Sequence, residues 1–401
     1  MIDGGVCSAK GFRASGVEAA VKYKGRKDVA LIVADRPCAA AAVFTTNKVA
    51  AAPVLYDREV ARGGRAQAIL ANSGCANACT GEAGLRDARL SALVTAGELG
   101  IDPGLVFVAS TGVIGRPLPM DRLLGGAKEA VSRLGRTKEH ALAAAQAVMT
   151  TDTKPKQAAA KVSVGGKSVT IGGMAKGSGM IEPNMATMLG FITTDAAISP
   201  ALLRKALLAA LSKSFNRLVV DGDMSTNDSL FILASGAAGN AEIVGRGEDY
   251  EAFLAALEAV CVSLARQMAA DGEGATKFVT VRVKGAASAK DAEKAARAIA
   301  RSPLAKTSWF GKDPNWGRVL AAAGYSGAEL DPSKAVIYYG GEWAYRKGEV
   351  ADEAQLARLA GAMEGDELEV TVDLGLGRYE DVVYTCDFSL DYVHINADYT
   401  T

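Results

Sequence analysis

The feature that most constrains this chain is a run near its middle, Lys176-Gly-Ser-Gly-Met-Ile-Glu-Pro-Asn-Met-Ala-Thr187-Met-Leu-Gly190. Small residues (Gly177, Ser178, Gly179) lead into Pro183, and after Thr187 the stretch 188–193 reads as a buried strand. A hydroxyl therefore sits where a glycine-rich loop enters a core strand. Glycine permits the backbone angles that a tight approach demands, and proline fixes its own. A chain that must bend its backbone toward a hydroxyl has this form. An ordinary first-strand threonine after a loop has it too, and the loop alone does not separate the two.

Composition narrows the class. The 401 residues carry 45 Lys+Arg against 45 Asp+Glu, so the formal net charge is zero. With 49% hydrophobic and 22% charged residues, the chain has the make-up of a globular protein of two or three lobes. No basic stripe with interleaved aromatics is evident, so nucleic acid is not an expected partner. No uncharged apolar run is long enough to span a bilayer, and residues 1–8 lack the basic and apolar segments of a secretory leader. A cytoplasmic protein with no membrane partner is expected.

Six cysteines spread over this length do not suggest a disulfide framework. Cys75 and Cys79 are four apart but have no second Cys or His pair, so buried thiols are expected rather than a metal site. The two histidines, His140 in an alanine-rich helical run and His394 in an apparent strand, are expected to be structural. A hydroxyl nucleophile here would take its base from elsewhere.

Strands are expected at 29–34, 41–45, 67–71, 105–109, 215–220, 230–234 and 278–283, and in the tail at 335–339, 367–374, 381–388 and 392–396. Helices are expected at 81–99, 120–134, 137–149, 200–213, 249–270 and 288–300. In the first, Leu85, Leu90, Leu93, Val94 and Leu99 mark the apolar stripe. Residues 161–171 form a hairpin turning at Gly165-Gly166. Glycine-punctuated strands with helices between them argue for an α/β fold, layered in α+β fashion.

Three polar segments stand out. Ser110-Thr-Gly-Val-Ile-Gly115 ends a strand with a hydroxyl and a glycine amide, the donors of an oxyanion hole or of a plain loop. Asp221-Gly-Asp-Met-Ser-Thr-Asn-Asp228 lacks the spacing of a calcium loop and reads as a turn supporting a site, with a metal as the minor alternative. Glu273 stands between two glycines on an exposed turn.

The central run resembles the self-cleavage motif of the ornithine acetyltransferase family, the glutamate N-acetyltransferases of arginine biosynthesis. Thr150-Thr-Asp-Thr153, Asp271-Gly-Glu-Gly-Ala-Thr-Lys277, Asp313-Pro-Asn-Trp-Gly-Arg318 and the Asn396-Ala-Asp-Tyr-Thr-Thr401 end follow in the family's order with the segments above. Cys75 and Met224 depart from its usual Asn and Thr. The resemblance implies mixed sheets sandwiched with helices, as in N-terminal-nucleophile enzymes. It implies a cut between Ala186 and Thr187, giving an α chain of 1–186 and a β chain of 187–401. A freed α-amine has a pKa of about 7.7–8.0 and can act as the base for its own hydroxyl. Thr187 would then carry acetyl from N2-acetyl-L-ornithine to L-glutamate, with Thr111 and Gly112 as the oxyanion hole. Thr153, Lys176, Glu273, Asn396 and Thr401, together with Thr187, would bind substrate. The resemblance also makes acetyl-CoA a candidate co-substrate, with no other cofactor and no metal, and implies a heterotetramer of α and β chains. The alternatives are an N-terminal-nucleophile amidase or aminopeptidase of the same fold and, more distantly, a non-enzymatic amino-acid-binding protein.

Overall fold

The computed structural model describes residues 1–182 and 188–398. The hairpin expected around Gly165-Gly166 is present: β5 and β6 below pair antiparallel, and both glycines have positive φ (55° and 72°), as a tight hairpin turn requires. In chain order the elements are β1 (Phe12–Val17), β2 (Val29–Phe44), α1 (Ala52–Arg62), β3 (Arg65–Cys75), α2 (Gly81–Leu99), β4 (Val106–Val113), α3 (Met120–Ser132), α4 (Lys138–Ala147), β5 (Lys156–Val164), β6 (Lys167–Lys176), β7 (Leu189–Thr194), α5 (Pro200–Lys213), β8 (Ser229–Ala234), α6 (Glu248–Ala270), β9 (Phe278–Ala286), α7 (Ala289–Arg301), α8 (Pro303–Phe310) and α9 (Trp316–Gly324). Then follow β10 (Val336–Tyr339), β11 (Glu342–Arg346), β12 (Glu349–Val350), α10 (Glu353–Ala362), β13 (Glu367–Asp373), β14 (Tyr379–Cys386) and α11 (Leu390–Asp398).

The strands form two mixed sheets. An eight-stranded sheet runs β4-β3-β2-β8-β7-β6-β5 with β1 paired to β2, and a six-stranded sheet runs β12-β11-β10-β13-β9-β14. Helices α2 to α4 cover one face of the larger sheet, closing a core around Phe107, Leu31 and Ala127. Helix α6 lies between the sheets, touching β5 and β6 on one side and β9 and β14 on the other. It has the length and composition of a membrane span, but its stripe of Phe253, Leu257, Val260, Cys261, Leu264 and Met268 is fully buried in the protein core. Helices α7 to α10 pack with the smaller sheet around Trp309 and Ile299. The expected layered α/β architecture is borne out.

Several expected elements differ. The strands read at 29–34 and 41–45 are one strand, β2; its pairing with β3 shifts between Val33 and Cys38, where Asp35-Arg36-Pro37 interrupts the apolar run. Strand β3 continues past 71 through Asn72 to Cys75, and β4 past 109 to Val113, because the two pair in parallel there. The strand read at 215–220 is a 3-10 turn at Phe215–Arg217 followed by a single bridge, Leu218 to Tyr384. The strand read at 392–396 is part of helix α11. Helix α2 has the expected bounds and ends on left-handed Gly100. Its buried face, however, is Gly84, Ala88, Ala92, Thr95 and Ala96, while Leu90 and Leu93 are exposed. Close packing against α1 and α3 selects the small residues. Cys75 is a buried thiol as expected, but Cys79 is exposed.

Candidate active site

The described flanks of 183–187 are both held by the stretch 220–229. Upstream, the Asp221 carboxylate accepts the amides of Met180 and Ile181, the latter at 2.8 Å. The Val220 amide donates to Ile181 O (2.7 Å), and the Glu182 amide to Asp223 O (2.9 Å). Downstream, the Ser229 amide donates to Met188 O at 2.9 Å, just before β7 and β8 pair in parallel. The polar turn read from sequence is therefore a clamp on the central run. Asn227 extends it, donating to Ala76 O (2.6 Å) and Ser110 O (2.8 Å) at the ends of β3 and β4.

Beside this clamp lies a cavity of about 110 Å³. Thr111 and Gly112 of β4 form one wall. Strand β4 is the outer strand of its sheet, so one edge of its peptide groups is left unpaired by the sheet. Gly112 has φ 126°, and a Cβ there would overlap the Gly74 backbone and come within 2.7 Å of Cys75 N. Only glycine lets β3 and β4 approach this closely while turning the strand end toward the cavity.

Lys176, the last residue of β6, enters opposite. Its Nζ donates to Thr150 Oγ1 at 2.8 Å and Thr111 Oγ1 at 3.3 Å, and stands 3.9 Å from Asp152 Oδ2. Burial lowers the Lys176 pKa, while the charges of Asp152 and Glu273 pull it back up. Asp152 has no exposed side-chain surface. Burial alone would raise its pKa, but Lys176, then Lys156, and the hydrogen bonds from Lys156 and the Thr150 amide hold it well below the usual carboxylate range. Asp152 Oδ1 also accepts the Gly177 amide at 2.7 Å, so it fixes the backbone next to Lys176. Lys156 Nζ spans Asp152 Oδ1 (2.7 Å) and Asp271 Oδ2 (2.5 Å), closing a buried network below the cavity.

The acidic wall is Glu273. It is buried, not exposed as its glycine neighbours suggested, because the Glu273 amide donates to Ser178 O (2.8 Å) and draws the turn against the central run. A side chain at Gly179 would collide with the Glu273 carboxylate. Asn396 of α11 donates to Glu273 Oε2 at 2.8 Å, and both line the cavity.

The structure thus brings together Thr111, Gly112, Lys176, Glu273 and Asn396. Thr153 does not line the cavity: its amide and hydroxyl donate to Asp271, the amide at 3.1 Å. Thr150 and Thr151 line it instead. Ala186, Thr187 and Thr401 lie outside the described residues; Met188, which follows Thr187 in the chain, is a lining residue. Neither histidine is among the described lining residues; His140 Nδ1 pairs with Thr137 Oγ1 at 2.8 Å. Sequence reasoning missed Asp228. Its side chain is almost fully buried on the cavity wall, and Oδ2 has no hydrogen-bond partner among the described residues. Burial drives its pKa well above the usual value, against the opposing pull of Ser225, the Met188 amide, Thr45 and Lys176. A cation and a carboxylate around so small a space suit a ligand that carries both an acidic and a basic group.

Comparison with known proteins gives consistent findings. A sequence model described as the ArgJ family matches residues 13–401. The "Arginine biosynthesis bifunctional protein ArgJ" of Symbiobacterium thermophilum is 54% identical over 402 residues, covering 99% of this chain and 99% of the relative. Its namesake in Geobacter sulfurreducens is 51% identical over 394 residues, covering 98% of this chain and 100% of the relative. A crystal structure of the arginine biosynthesis bifunctional protein argJ of Bacillus halodurans superposes with a TM-score of 0.51 at 41% identity. It covers 53% of this chain and 100% of the solved chain.

Proposed function

The chain belongs to the ArgJ family and is an acyltransferase of arginine biosynthesis, and from that premise we propose that Thr187 carries the acetyl group. The acyl group passes from N2-acetyl-L-ornithine to the Thr187 hydroxyl, ornithine leaves, and L-glutamate takes the acetyl as N-acetyl-L-glutamate. The observation that carries this reading is the convergence of Thr111, Gly112, Lys176, Glu273 and Asn396 on one small cavity lined by the residue after Thr187.

Each group has a physical role. The chain first cuts itself: Thr187 Oγ attacks the Ala186 carbonyl, the acyl shifts from N to O, and water hydrolyses the ester. The exposed α-amine, with a pKa of about 8, then removes the proton from its own hydroxyl. Thr111 and Gly112 stabilise the tetrahedral oxyanion, one such donor contributing ~3 kcal/mol. Lys176 meets the ligand carboxylate and Glu273, oriented by Asn396, meets its amine. We assign to Thr150, whose hydroxyl is bound to Lys176 beside the cavity, the substrate contact expected of Thr153. Thr401 completes the set from the C-terminus.

The half-length coverage of the solved relative supports the cut, since about half of this chain is the size of either piece. The two pieces assemble as a heterotetramer in the cytoplasm, and acetyl-CoA serves as a second donor, in keeping with the relatives' description as bifunctional. Transfer to water, as in an amidase, is the second reading.

The test is direct. Purified wild type runs as two fragments on a denaturing gel, and Thr187→Ala stays whole and inactive. Deacetylation of acetyl-ornithine accelerates with glutamate. Active wild-type enzyme running as a single chain would refute the cut, and turnover indifferent to glutamate would turn the reading toward the hydrolase.

A further inference from the structure

A second cavity lies behind the first. It measures about 320 Å³ and is lined by Lys22, Tyr23 and Arg26 of one loop, its charged rim, and by Gly74, Met149, Thr150 and Thr151. The rim belongs to the densest run of positive charge in the loops before β2, Lys22-Tyr-Lys-Gly-Arg-Lys27, with four cations in six residues. The Tyr23 ring is about half exposed, with Lys22 Nζ at 4.7 Å and the Arg26 guanidinium at 5.8 Å from its centroid. Asp28 also lines the cavity, but its carboxylate is taken up by the amides of Ala19 (2.7 Å) and Val21 (2.6 Å), which roots the loop.

The partition between the cavities is thin. Gly74 lines the second and pairs in parallel register with Gly112, which lines the first. Thr150 and Thr151 line both. Thr150 Oγ1 accepts from Lys176 on one side, and Thr150 O accepts from Arg26 Nη1 at 3.4 Å on the other. The acetyl cavity of about 110 Å³ has room for the reacting end of a donor but not for a large tail, for which pockets of about 300–1,000 Å³ are usual. The neighbouring cavity has that volume, a largely apolar interior, and a rim of cations with an aromatic face.

We propose that this second cavity takes the tail of an acyl-coenzyme A donor, with the pantetheine arm against Met149 and the Gly74 backbone and the phosphorylated nucleotide on the Lys22–Lys27 rim. Cations meet phosphates and Tyr23 stacks on the base. The inference rests on the acyl-transfer reading above. In the step it serves, the Thr187 Oγ–C bond forms and the C–S bond of the thioester breaks. The hydroxyl proton passes through the α-amine to the departing thiolate, and coenzyme A leaves as its thiol.

The experiment compares two donors, acetyl-CoA and N2-acetyl-L-ornithine, with glutamate as acceptor, in wild type, Lys22→Glu and Tyr23→Ala. Free coenzyme A serves as a binding probe by calorimetry. Lys22→Glu is expected to raise KM for acetyl-CoA about tenfold or more and to weaken coenzyme A binding alike, in a salt-dependent way, while KM for acetyl-ornithine moves less than about twofold. Tyr23→Ala is expected to act in the same sense with little salt dependence. Equal losses with both donors would overturn the proposal, because the loop would then merely support the shared site. So would wild type that turns over acetyl-ornithine but not acetyl-CoA, an outcome that leaves the transferase reading standing. Wild type inactive with both donors would overturn that reading itself.

Discussion

Replacing Lys156 by Met tests the buried network beneath the active site. Methionine keeps the unbranched stem and most of the volume, so little cavity cost enters. What is lost is the ammonium that spans Asp152 Oδ1 at 2.7 Å and Asp271 Oδ2 at 2.5 Å, all three side chains being nearly or fully buried. Removing one partner of a buried ion pair costs about 3–5 kcal/mol. The low end applies here, because Asp152 keeps the amides of Gly177 (2.7 Å) and Thr150 (3.0 Å), and Asp271 keeps the Thr153 amide (3.1 Å). A loss of ~3 kcal/mol is a large share of the ~5–15 kcal/mol typical of a folded protein. Guanidinium unfolding at pH 7 is expected to show it as a lower midpoint at unchanged slope. The pH dependence has a definite sign. In wild type the Asp152 carboxyl is held below its unfolded value, so its stabilisation is present above about pH 4 and is lost as pH falls through the folded value. Without Lys156 that depression shrinks, so the gap between variant and wild type narrows on acidification below about pH 4. Transfer activity falls as well, since Asp152 also fixes the Gly177 amide beside Lys176. A variant within 1 kcal/mol of wild type at pH 7, or a gap that widens toward acid, would refute the reasoning.

Other substitutions probe separate parts. Gly112→Ala forces a side chain into the Gly74 backbone from a positive φ, and kcat is expected to fall about 10²–10³-fold with a smaller change in KM; a loss under tenfold would remove Gly112 from the oxyanion role. Asp57 is fully buried, its Oδ1 accepts the Val108 amide at 2.9 Å, and burial raises its pKa well above the usual value. Its ionisation therefore opposes folding as pH rises above the unfolded value of about 3.9, and Asp57→Asn is expected to gain on wild type in thermal melts from pH 4 to 8. A difference between the two that stays flat with pH would show that Asp57 folds already ionised.

Periodicity was legible where a whole face is buried. Helix α6 shows its stripe plainly because every residue of that stripe is fully buried, and the β5–β6 hairpin is announced by two glycines that both need positive φ. Helix α11 was misread because the alternation at 392–396 spans only five residues, and no residue of α11 is buried enough to impose a period. The α2 stripe was misread because size, not hydrophobicity alone, decides which face fits between α1 and α3: alanines enter and Leu93 stays outside. At the site, the residues that resemble family motifs could be named in advance. The roles of Asp152 and Asp228, which lie within such motifs, and of Lys156, which does not, could not be read, since they arise from burial and from partners as distant in sequence as Asp271.

The larger sheet interleaves strands from both sides of residue 186. β7 lies between β6 and β8, β8 pairs with β2, and Glu182 is ion-paired with Arg297 and Arg301 of α7. Scission at that link would leave two polypeptides woven into one sheet, unable to drift apart without unfolding. Neither half holds the whole of the larger sheet, since β1 to β6 precede residue 186 and β7 and β8 follow it, so such an enzyme has to be built as one gene product and divided only after assembly. Supplying the halves as separately refolded fragments should yield little active material, however accurately each begins and ends.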